Sequence, residues 1–202
     1  MDESILVGAG GHALACMDVI ELSNQFKIAG LVEKDDADGQ GNLGYPIIGT
    51  DNDLPNLRKK YSHALITIGQ IKSPATRTRL FQLLRELDYQ LALIVSPRAY
   101  VSKHASIGDG TIIMHGCIIN AGAKIGKNCI INSKSLIEHD VVIEDHCHLA
   151  TRSTVGGGAI IKKNSFIGSC SVIKQNIKIG KNCFVNANLF LQKDLKDNSK
   201  VL

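Results

Sequence analysis

One short stretch of the chain concentrates the side chains suited to acid–base chemistry. His139 lies between two carboxylates, Glu138 and Asp140, and a second acidic, histidine-rich segment follows at residues 144–148. A histidine beside a carboxylate is a natural general base near neutral pH, because the acid fixes the ring tautomer and stabilises the protonated ring. We therefore predict that His139 accepts a proton from a substrate, with Asp140 or Glu138 as its partner.

The other histidines in this half of the chain carry weaker signals. A lone histidine in a repeat is most simply a solvated corner residue, and we expect this of His104 and His115. His146 is expected to face solvent. His148 could supply an N–H to a carbonyl near the same coil, but the sequence does not establish that distance.

A glycine-rich turn at residues 8–13 indicates an anionic ligand. A strand is predicted before it and a helix after it. Glycines let a ligand approach the backbone at a helix N-terminus, where free N–H groups and the helix dipole attract phosphate. Gly8, Gly10 and Ala13 match the GxGxxA pattern of dinucleotide domains, and Glu33 lies about where a ribose-binding acid would. The alternative is a close strand-to-helix turn without a ligand.

The elements around this turn predict a small α/β domain. Strands are expected at 4–7, 26–32, 64–68 and 91–95, and helices at 14–22 and 77–87. Such alternation is typical of a parallel sheet. The polar, glycine-rich loop 35–44 follows the second strand, so we expect it to border the ligand crevice. Ser96 and Pro97 end the last strand, and we place a domain boundary there, between 1–97 and 98–202.

Nearly half of the chain is a six-residue repeat. An aliphatic residue recurs in strict register sixteen times, from Val101 to Leu191. A fixed period over this length indicates a solenoid, because one unit cannot bury its apolar face alone and only stacking makes a continuous core. We call this series of residues the aliphatic ladder; a second ladder, of small residues, lies four positions after it. Three hexads per coil predict a parallel β-helix. Glycines that directly follow the aliphatic ladder suit corners with positive φ: Gly108, Gly126, Gly156, Gly168 and Gly180.

Composition argues against several classes of function. The 202 residues carry a net charge of +4, and the basic residues are spread along the repeat, which argues against nucleic-acid binding. We find no signal-peptide pattern and no run of membrane-spanning length, so we expect a cytoplasmic protein that binds no membrane. Four of the six cysteines lie in the small-residue ladder, where packing explains them better than disulfides or zinc.

Three motifs carry a family resemblance: Val7–His12, Asn132–Asp140 and Ile179–Phe184. They resemble the sialic acid O-acetyltransferase (NeuD-like) family of hexapeptide-repeat sugar acyltransferases, which includes the PglD-like nucleotide-aminosugar N-acetyltransferases of bacillosamine synthesis. The resemblance implies a half-Rossmann-like α/β domain that binds a nucleotide sugar, residues 1–97, and a left-handed parallel β-helix, residues 98–202. It also implies a homotrimer with acetyl-CoA between neighbouring solenoids and no metal.

The resemblance also implies roles for residues of the repeat. His139 would be the general base, Asp140 would orient it, and His148 would bond the thioester carbonyl oxygen during a direct transfer without an acyl-enzyme. The sequence departs from the family at residues 186–188, where Asn-Ala-Asn replaces a small glycine-rich turn. The other acetyl-CoA contacts implied are Gly168, Ser169 and Ala187.

In the front domain the resemblance implies that the acceptor nucleotide sugar binds at the glycine turn and nearby strand ends. The residues implied are Gly10, Gly11, His12, Glu33, Lys34 and Gly69.

Several functions remain open at this point. The leading hypothesis is acetyl transfer from acetyl-CoA to the 4-amino group of a UDP-linked amino-deoxy sugar. The nearest alternative keeps the fold and donor but acetylates a hydroxyl of a sialic-acid-like sugar. A non-enzymatic scaffold or ice-binding solenoid would need outward threonine ladders, which are missing. A distant alternative is a zinc lyase of the γ-carbonic-anhydrase type, with candidate ligands His115, His139, His146 and His148.

Overall fold

The front of the chain forms a parallel five-stranded sheet. The computed structural model describes residues 1–34 and 41–202. In chain order the elements are β1 (Glu3–Val7), α1 (Gly11–Ser23), β2 (Lys27–Glu33), β3 (Ile47–Thr50), a 3-10 turn (Asp51–Asp53), α2 (Leu54–Leu57), β4 (His63–Ile66), α3 (Ala75–Glu86) and β5 (Gln90–Leu91). The strand order is β3-β2-β1-β4-β5, and all neighbouring pairs are parallel. The central strand β1 ends in three consecutive aliphatic residues and is buried from Ser4 to Val7, as expected for a strand covered on both faces.

The described end of the loop after β2 contacts the glycine turn, and the expectation that loop 35–44 borders the ligand crevice stays a prediction. Helix α1 begins at Gly11 itself, three residues earlier than the pattern suggested, and it ends at Ser23, followed by Asn24 as its C-cap with a left-handed φ of 51°. Of the predicted loop 35–44, residues 35–40 lie outside the described residues. In its described end, Asn42 donates a hydrogen bond from Nδ2 to the Ala9 carbonyl in the glycine turn.

Two-residue strands then wind into three parallel sheets, each of which forms one face of a prism. The strands are β6 (Ile94–Val95), β7 (Tyr100–Val101), β8 (Ser106–Ile107), β9 (Ile112–Ile113), β10 (Ile118–Ile119), β11 (Lys124–Ile125), β12 (Ile130–Ile131), β13 (Leu136–Ile137), β14 (Val142–Ile143), β15 (His148–Leu149), β16 (Thr154–Val155), β17 (Ile160–Ile161), β18 (Phe166–Ile167), β19 (Val172–Ile173), β20 (Lys178–Ile179), β21 (Phe184–Val185), β22 (Phe190–Leu191) and β23 (Lys200–Val201). Face 1 contains β7, β10, β13, β16, β19 and β22; face 2 contains β8, β11, β14, β17 and β20; face 3 contains β6, β9, β12, β15, β18, β21 and β23.

The predicted hexad register is confirmed. Leu136 pairs with Thr154 and Ile137 with Val155, so one coil contains 18 residues and three strands. The second residue of each strand points inward, and Ile137 and Val155 have no exposed surface. The chain is thus a small α/β domain followed by a left-handed parallel β-helix, as predicted.

The explanation offered for the ladder glycines is wrong. Positive φ recurs every six residues, but it falls three positions after the ladder aliphatic, at residues such as Asn128, Lys134 and Asp140. The ladder glycines themselves have ordinary φ. A Cβ on Gly126 would lie 2.7 Å from the Asp145 backbone nitrogen in the next coil, so glycine is needed there for close stacking of coils.

The two domains are joined within residues 91–95, which the sequence predicts as a single strand. The predicted strand 91–95 is split, because Leu91 ends β5 in the front sheet whereas Ile94 begins β6, which pairs with β9 in the solenoid. The solenoid thus starts before the predicted boundary, and the division into 1–97 and 98–202 stays a prediction.

Face 3 of the solenoid is covered by the front domain. His115 bridges the domains, since its Nε2 lies 2.7 Å from Oδ2 of Asp18 in α1 and its Nδ1 lies 2.6 Å from Oγ of Ser96. His146 packs edge-on against the ring of Phe81. The solvated positions expected for these two histidines are therefore wrong, because the front domain covers their corners.

In the described parts of the chain, no helix combines the length and apolar character needed to cross a membrane.

Candidate functional site

The predicted base and its partner occupy one corner of the solenoid. His139 and Asp140 lie between β13 on face 1 and β14 on face 2. Nδ1 of His139 is 2.9 Å from Oδ2 of Asp140, and the two side chains are 67% and 72% exposed. The contact uses Nδ1 and leaves Nε2 available to a substrate. The geometry is that of a carboxylate-oriented imidazole.

Two glycines make room for this pair. Gly157 occupies the position of His139 one coil further on, and a Cβ there would lie 2.6 Å from Nε2 of His139. Gly122 occupies the position of Asp140 one coil earlier, and a Cβ there would collide with Oδ1 of Asp140. The backbone N–H of Gly158 also donates to the carbonyl of His139 at 2.9 Å. The corner is thus shaped around the two side chains.

The front domain contains a cavity of about 580 Å³ at the carboxyl ends of its strands. The structure brings together in its wall all six residues that the resemblance assigns to the nucleotide sugar: Gly10, Gly11, His12, Glu33, Lys34 and Gly69. The polar side chains of Thr67, Ser73 and Thr76 line it as well. The location agrees with the general rule that ligands bind at the carboxyl edge of open parallel sheets.

The glycine turn is held in place by its neighbours. The backbone N–H of Ala9 donates to Oε2 of Glu33 at 2.6 Å, and Oγ1 of Thr67 donates to the Gly8 carbonyl at 2.6 Å. Nothing lies within 4 Å of the positions that a Cβ would take on Gly10 and Gly11. The start of α1 is therefore open to the cavity, and no side chain caps it.

His12 connects this cavity with the solenoid. It lines the cavity, and its ring centroid lies 6.5 Å from that of His148 on β15. His148 is only 5% exposed, and its Nδ1 contacts the Gln70 carbonyl. Burial and the nearby Arg77 guanidinium lower the pKa of His12 to about 3. Burial also lowers the pKa of His148 to about 4; the Gln70 contact opposes this shift and Arg77 adds to it.

The Gln70 contact decides what the other nitrogen of His148 can do. A peptide carbonyl only accepts, so Nδ1 carries the hydrogen. The ring is neutral near pH 7, so Nε2 carries a lone pair and no hydrogen. Such a ring cannot donate from Nε2 to a thioester oxygen. The bond that the resemblance implies for His148 therefore does not fit this geometry.

The His139 corner and His148 lie on opposite sides of one chain. In a three-sided prism, the edge between faces 1 and 2 is opposite face 3, which carries His148. Gly168 and Ser169 lie at the corner between faces 3 and 1, and Ala187 stacks on them one coil later. A single copy thus brings together the cavity and His148, and separately Gly168, Ser169 and Ala187, but leaves His139 apart.

Sequence reasoning missed four residues of this region. Gln70 and Arg77 are buried between the domains, which nothing in a polar loop or an amphipathic helix indicates. Gly122 gave no signal in the sequence, because it lies in a turn like the others of the repeat. Gly157 had a visible signal, because residues 156–158 are the chain's only run of three glycines and lie one coil after the base.

The histidines named for a zinc site are scattered over different corners and faces of the solenoid. Across residues 1–34 and 41–202, no three His, Cys, Asp or Glu side chains form a group suited to a metal ion.

Comparisons with known proteins match both halves of the chain. The PglD N-terminal domain model matches residues 4–84, and the GMPPB C-terminal domain model matches residues 114–202. Among curated protein sequences, none matches the chain.

Several solved structures resemble the chain over nearly its whole length. A histidine-to-asparagine mutant of perosamine N-acetyltransferase from Caulobacter crescentus, in complex with CoA and GDP-perosamine, is 27% identical, with 99% of this chain and 93% of that chain covered and a TM-score of 0.92. The acetyltransferase domain of PglB from Neisseria gonorrhoeae, in complex with acetyl coenzyme A, is 23% identical, with 98% and 95% covered and a TM-score of 0.90. WeeI from Acinetobacter baumannii is 20% identical, with 100% and 97% covered and a TM-score of 0.68.

Proposed function

We propose that this chain, which belongs to the NeuD/PglD-like family of hexapeptide-repeat sugar acyltransferases, transfers the acetyl group of acetyl-CoA to the 4-amino group of a UDP-linked amino-deoxy sugar. The observation that carries the proposal is the front cavity, whose wall gathers an open helix N-terminus and the six residues expected to bind a nucleotide sugar. The similar C. crescentus enzyme was crystallised with a nucleotide aminosugar and CoA, which supports this class of substrates.

In the proposed reaction His139 is the general base. The amine attacks the thioester carbonyl carbon, an N–C bond forms, and one N–H proton passes to Nε2 of His139. The C–S bond then breaks, and its electron pair leaves with the CoA thiolate. Asp140 holds the ring by Nδ1 and stabilises its protonated form. No enzyme nucleophile is needed, so transfer is direct.

The opposite placement of His139 and His148 supports a homotrimer in which the site forms between copies. An apolar column, interrupted by Thr154, runs along face 1 next to the His139 corner: Tyr100, Ile118, Val172 and Phe190 are 59%, 43%, 37% and 58% exposed. Exposed apolar surface of this kind is typical of an interface. We propose that face 1 packs against a neighbouring copy, so that His139 of one subunit approaches the front cavity of another.

Acetyl-CoA is proposed to lie in the cleft that this packing creates. The corner of Gly168, Ser169 and Ala187 borders face 1 and would supply backbone contacts to it. Asn186 shapes this corner, because its Oδ1 accepts from the Ala187 backbone N–H at 2.9 Å.

Steady-state kinetics test the proposal. The wild-type chain is assayed with acetyl-CoA and 4-amino sugars linked to UDP and to GDP, and with a sialic-acid-like hydroxyl acceptor, and NMR locates the new acetyl group. His139→Ala should lower kcat at least about 100-fold. His104→Ala, at an exposed corner two coils earlier, should leave it unchanged. Near-normal turnover by His139→Ala would refute the mechanism, and acetylation of the hydroxyl acceptor alone would refute the proposed acceptor.

A further inference from the structure

Three buried polar atoms have no hydrogen-bond partner among the described residues and lie on neighbouring side chains. They are Nε2 of His12, Oε1 of Gln70 and Nε2 of His148. Gln70 contacts the solenoid twice, because its backbone carbonyl accepts from His148 and its Nε2 donates to the His146 carbonyl at 2.9 Å. Buried polar groups in native proteins are nearly always paired, so unpaired ones indicate a missing partner.

The chemistry of that partner follows from the bonds already made. The amide nitrogen of Gln70 must be the atom that faces the His146 carbonyl, so the free atom is the oxygen, which only accepts. Nε2 of His148 likewise only accepts. Two of the three atoms therefore require hydrogen-bond donors. An amine offers at least two N–H groups, whereas a hydroxyl offers one and a thioester oxygen none.

The position of His148 relative to the cavity fits a substrate group rather than a remote structural role. His12 lines the cavity, and its ring lies next to that of His148. His148 is thus one side chain away from the cavity wall. Contact between His148 and a bound nucleotide sugar therefore requires the His12 side chain to turn aside.

We propose that Nε2 of His148 accepts a hydrogen bond from the amino group of the acceptor sugar, which makes His148 a second catalytic residue and the site specific for an amine. This inference rests on the proposed function and adds the residue that recognises the acceptor's amino group. Because a neutral ring that resists protonation is a poor base, His148 orients the amine, and the proton still leaves to His139.

The surroundings of His148 favour an uncharged amine. Arg77 is 1% exposed and makes no ion pair within the described residues. Its Nη1 donates to the carbonyls of Ile66 and Ile68 at 2.6 and 3.0 Å. A buried cation beside the two histidines disfavours a second positive charge, so an ammonium group should lose its proton on entry and become nucleophilic.

The first test is nitrogen-15 NMR of the histidine rings in the wild-type protein at pH 7. We expect His148 to show a protonated Nδ1 and an unprotonated Nε2. The Nε2 resonance should shift when a 4-amino nucleotide sugar is added, but not with its 4-deoxy analogue or with acetyl-CoA alone. A ring protonated at Nε2, or an Nε2 that responds to acetyl-CoA and not to the amine, would overturn the inference.

The second test is binding to His148→Asn, which keeps a donor for the Gln70 carbonyl but lacks an acceptor at the Nε2 position. The variant should bind the 4-amino nucleotide sugar about tenfold more weakly and the 4-deoxy analogue as the wild type does. Its ratio of affinities for acetyl-CoA and CoA should not change, and a changed ratio would refute the assignment. Failure of the proposed function would appear separately, as a wild-type chain that acetylates no amino sugar.

Discussion

The ring of His139 lies directly over Gly157, the residue at the same corner one coil further along. A methyl group there would come within 2.6 Å of Nε2 of His139. Gly157 has no positive φ, so its backbone would accept alanine. Glycine is therefore needed at this position to make room for the His139 ring and not for the backbone conformation of the turn.

Gly157→Ala should separate activity from stability. The methyl group would displace an exposed ring, which can move at little cost, so the free energy of unfolding should change by less than about 1 kcal/mol. A displaced base should lower kcat about 10- to 100-fold. Kinetics and denaturant unfolding check both values. Gln175→Ala, one coil beyond, is the control, and unchanged kcat in Gly157→Ala would contradict the packing described.

Asp140→Asn should test the orienting role of the carboxylate. Asp140 has a φ of 60°, which asparagine tolerates, so the fold should be kept. An amide neither fixes the Nδ1–H tautomer nor stabilises the protonated ring, and we expect kcat to fall about tenfold or more with KM for both substrates little changed. If kcat falls equally in His139→Ala and in the double variant His139→Ala/Asp140→Asn, the two residues act together. A wild-type kcat in Asp140→Asn would exclude the pairing.

The buried histidines predict a loss of stability in mild acid. The pKa values of His12 and His148 in the folded chain, about 3 and about 4, lie below the ordinary 6.5. The unfolded chain therefore takes up protons between pH 6.5 and pH 4 while the folded chain does not, so the free energy of unfolding falls over this range. The loss should be on the order of 3 kcal/mol per histidine. Thermal unfolding against pH measures it, and His148→Asn should show a shallower slope; an identical slope would contradict the assigned burial.

Arg77→Met should weaken the contact between the domains. The variant removes the donors to the Ile66 and Ile68 carbonyls and a bond from Nε to the Asn128 carbonyl at 3.4 Å. We expect a loss of about 2–4 kcal/mol in the free energy of unfolding. The pKa of His148 should rise towards its ordinary value, because a nearby positive charge is gone. Arg79→Met, at an exposed ion pair on the same helix, should cost less than about 1 kcal/mol.

Val172→Asp should test the proposed interface. Val172 is exposed beside Phe190 near one end of the apolar column and points away from its own core, so a charge there should leave a folded monomer intact. If face 1 joins copies, the charge would be buried unpaired, and sedimentation should show a monomer with no transferase activity. Lys124→Asp, exposed on face 2, is the control. An active trimer in Val172→Asp would exclude face 1 as the interface.

The periodic half of the fold was predictable because its information is local. One aliphatic residue every six positions indicates where each strand lies, where each corner falls and which side chain points inward. The same pattern recurs in every coil. The glycine turn and the His139–Asp140 pair were equally visible, since neighbours in sequence make both. The small front strand β3 and the split between β5 and β6 were not predicted, because short apolar runs do not say which sheet they join.

By itself the sequence determined the solenoid, its register and the identity of the residues with acid–base potential, because these depend on spacing along the chain. Only the tertiary structure decided which of them meet. Packing of the front domain on face 3 buried Arg77, set the tautomer of His148 through the Gln70 carbonyl and turned His115 into a bridge to Asp18. Contacts of this kind join residues separated by tens of positions, and their geometry depends on how two domains dock, which no local pattern encodes.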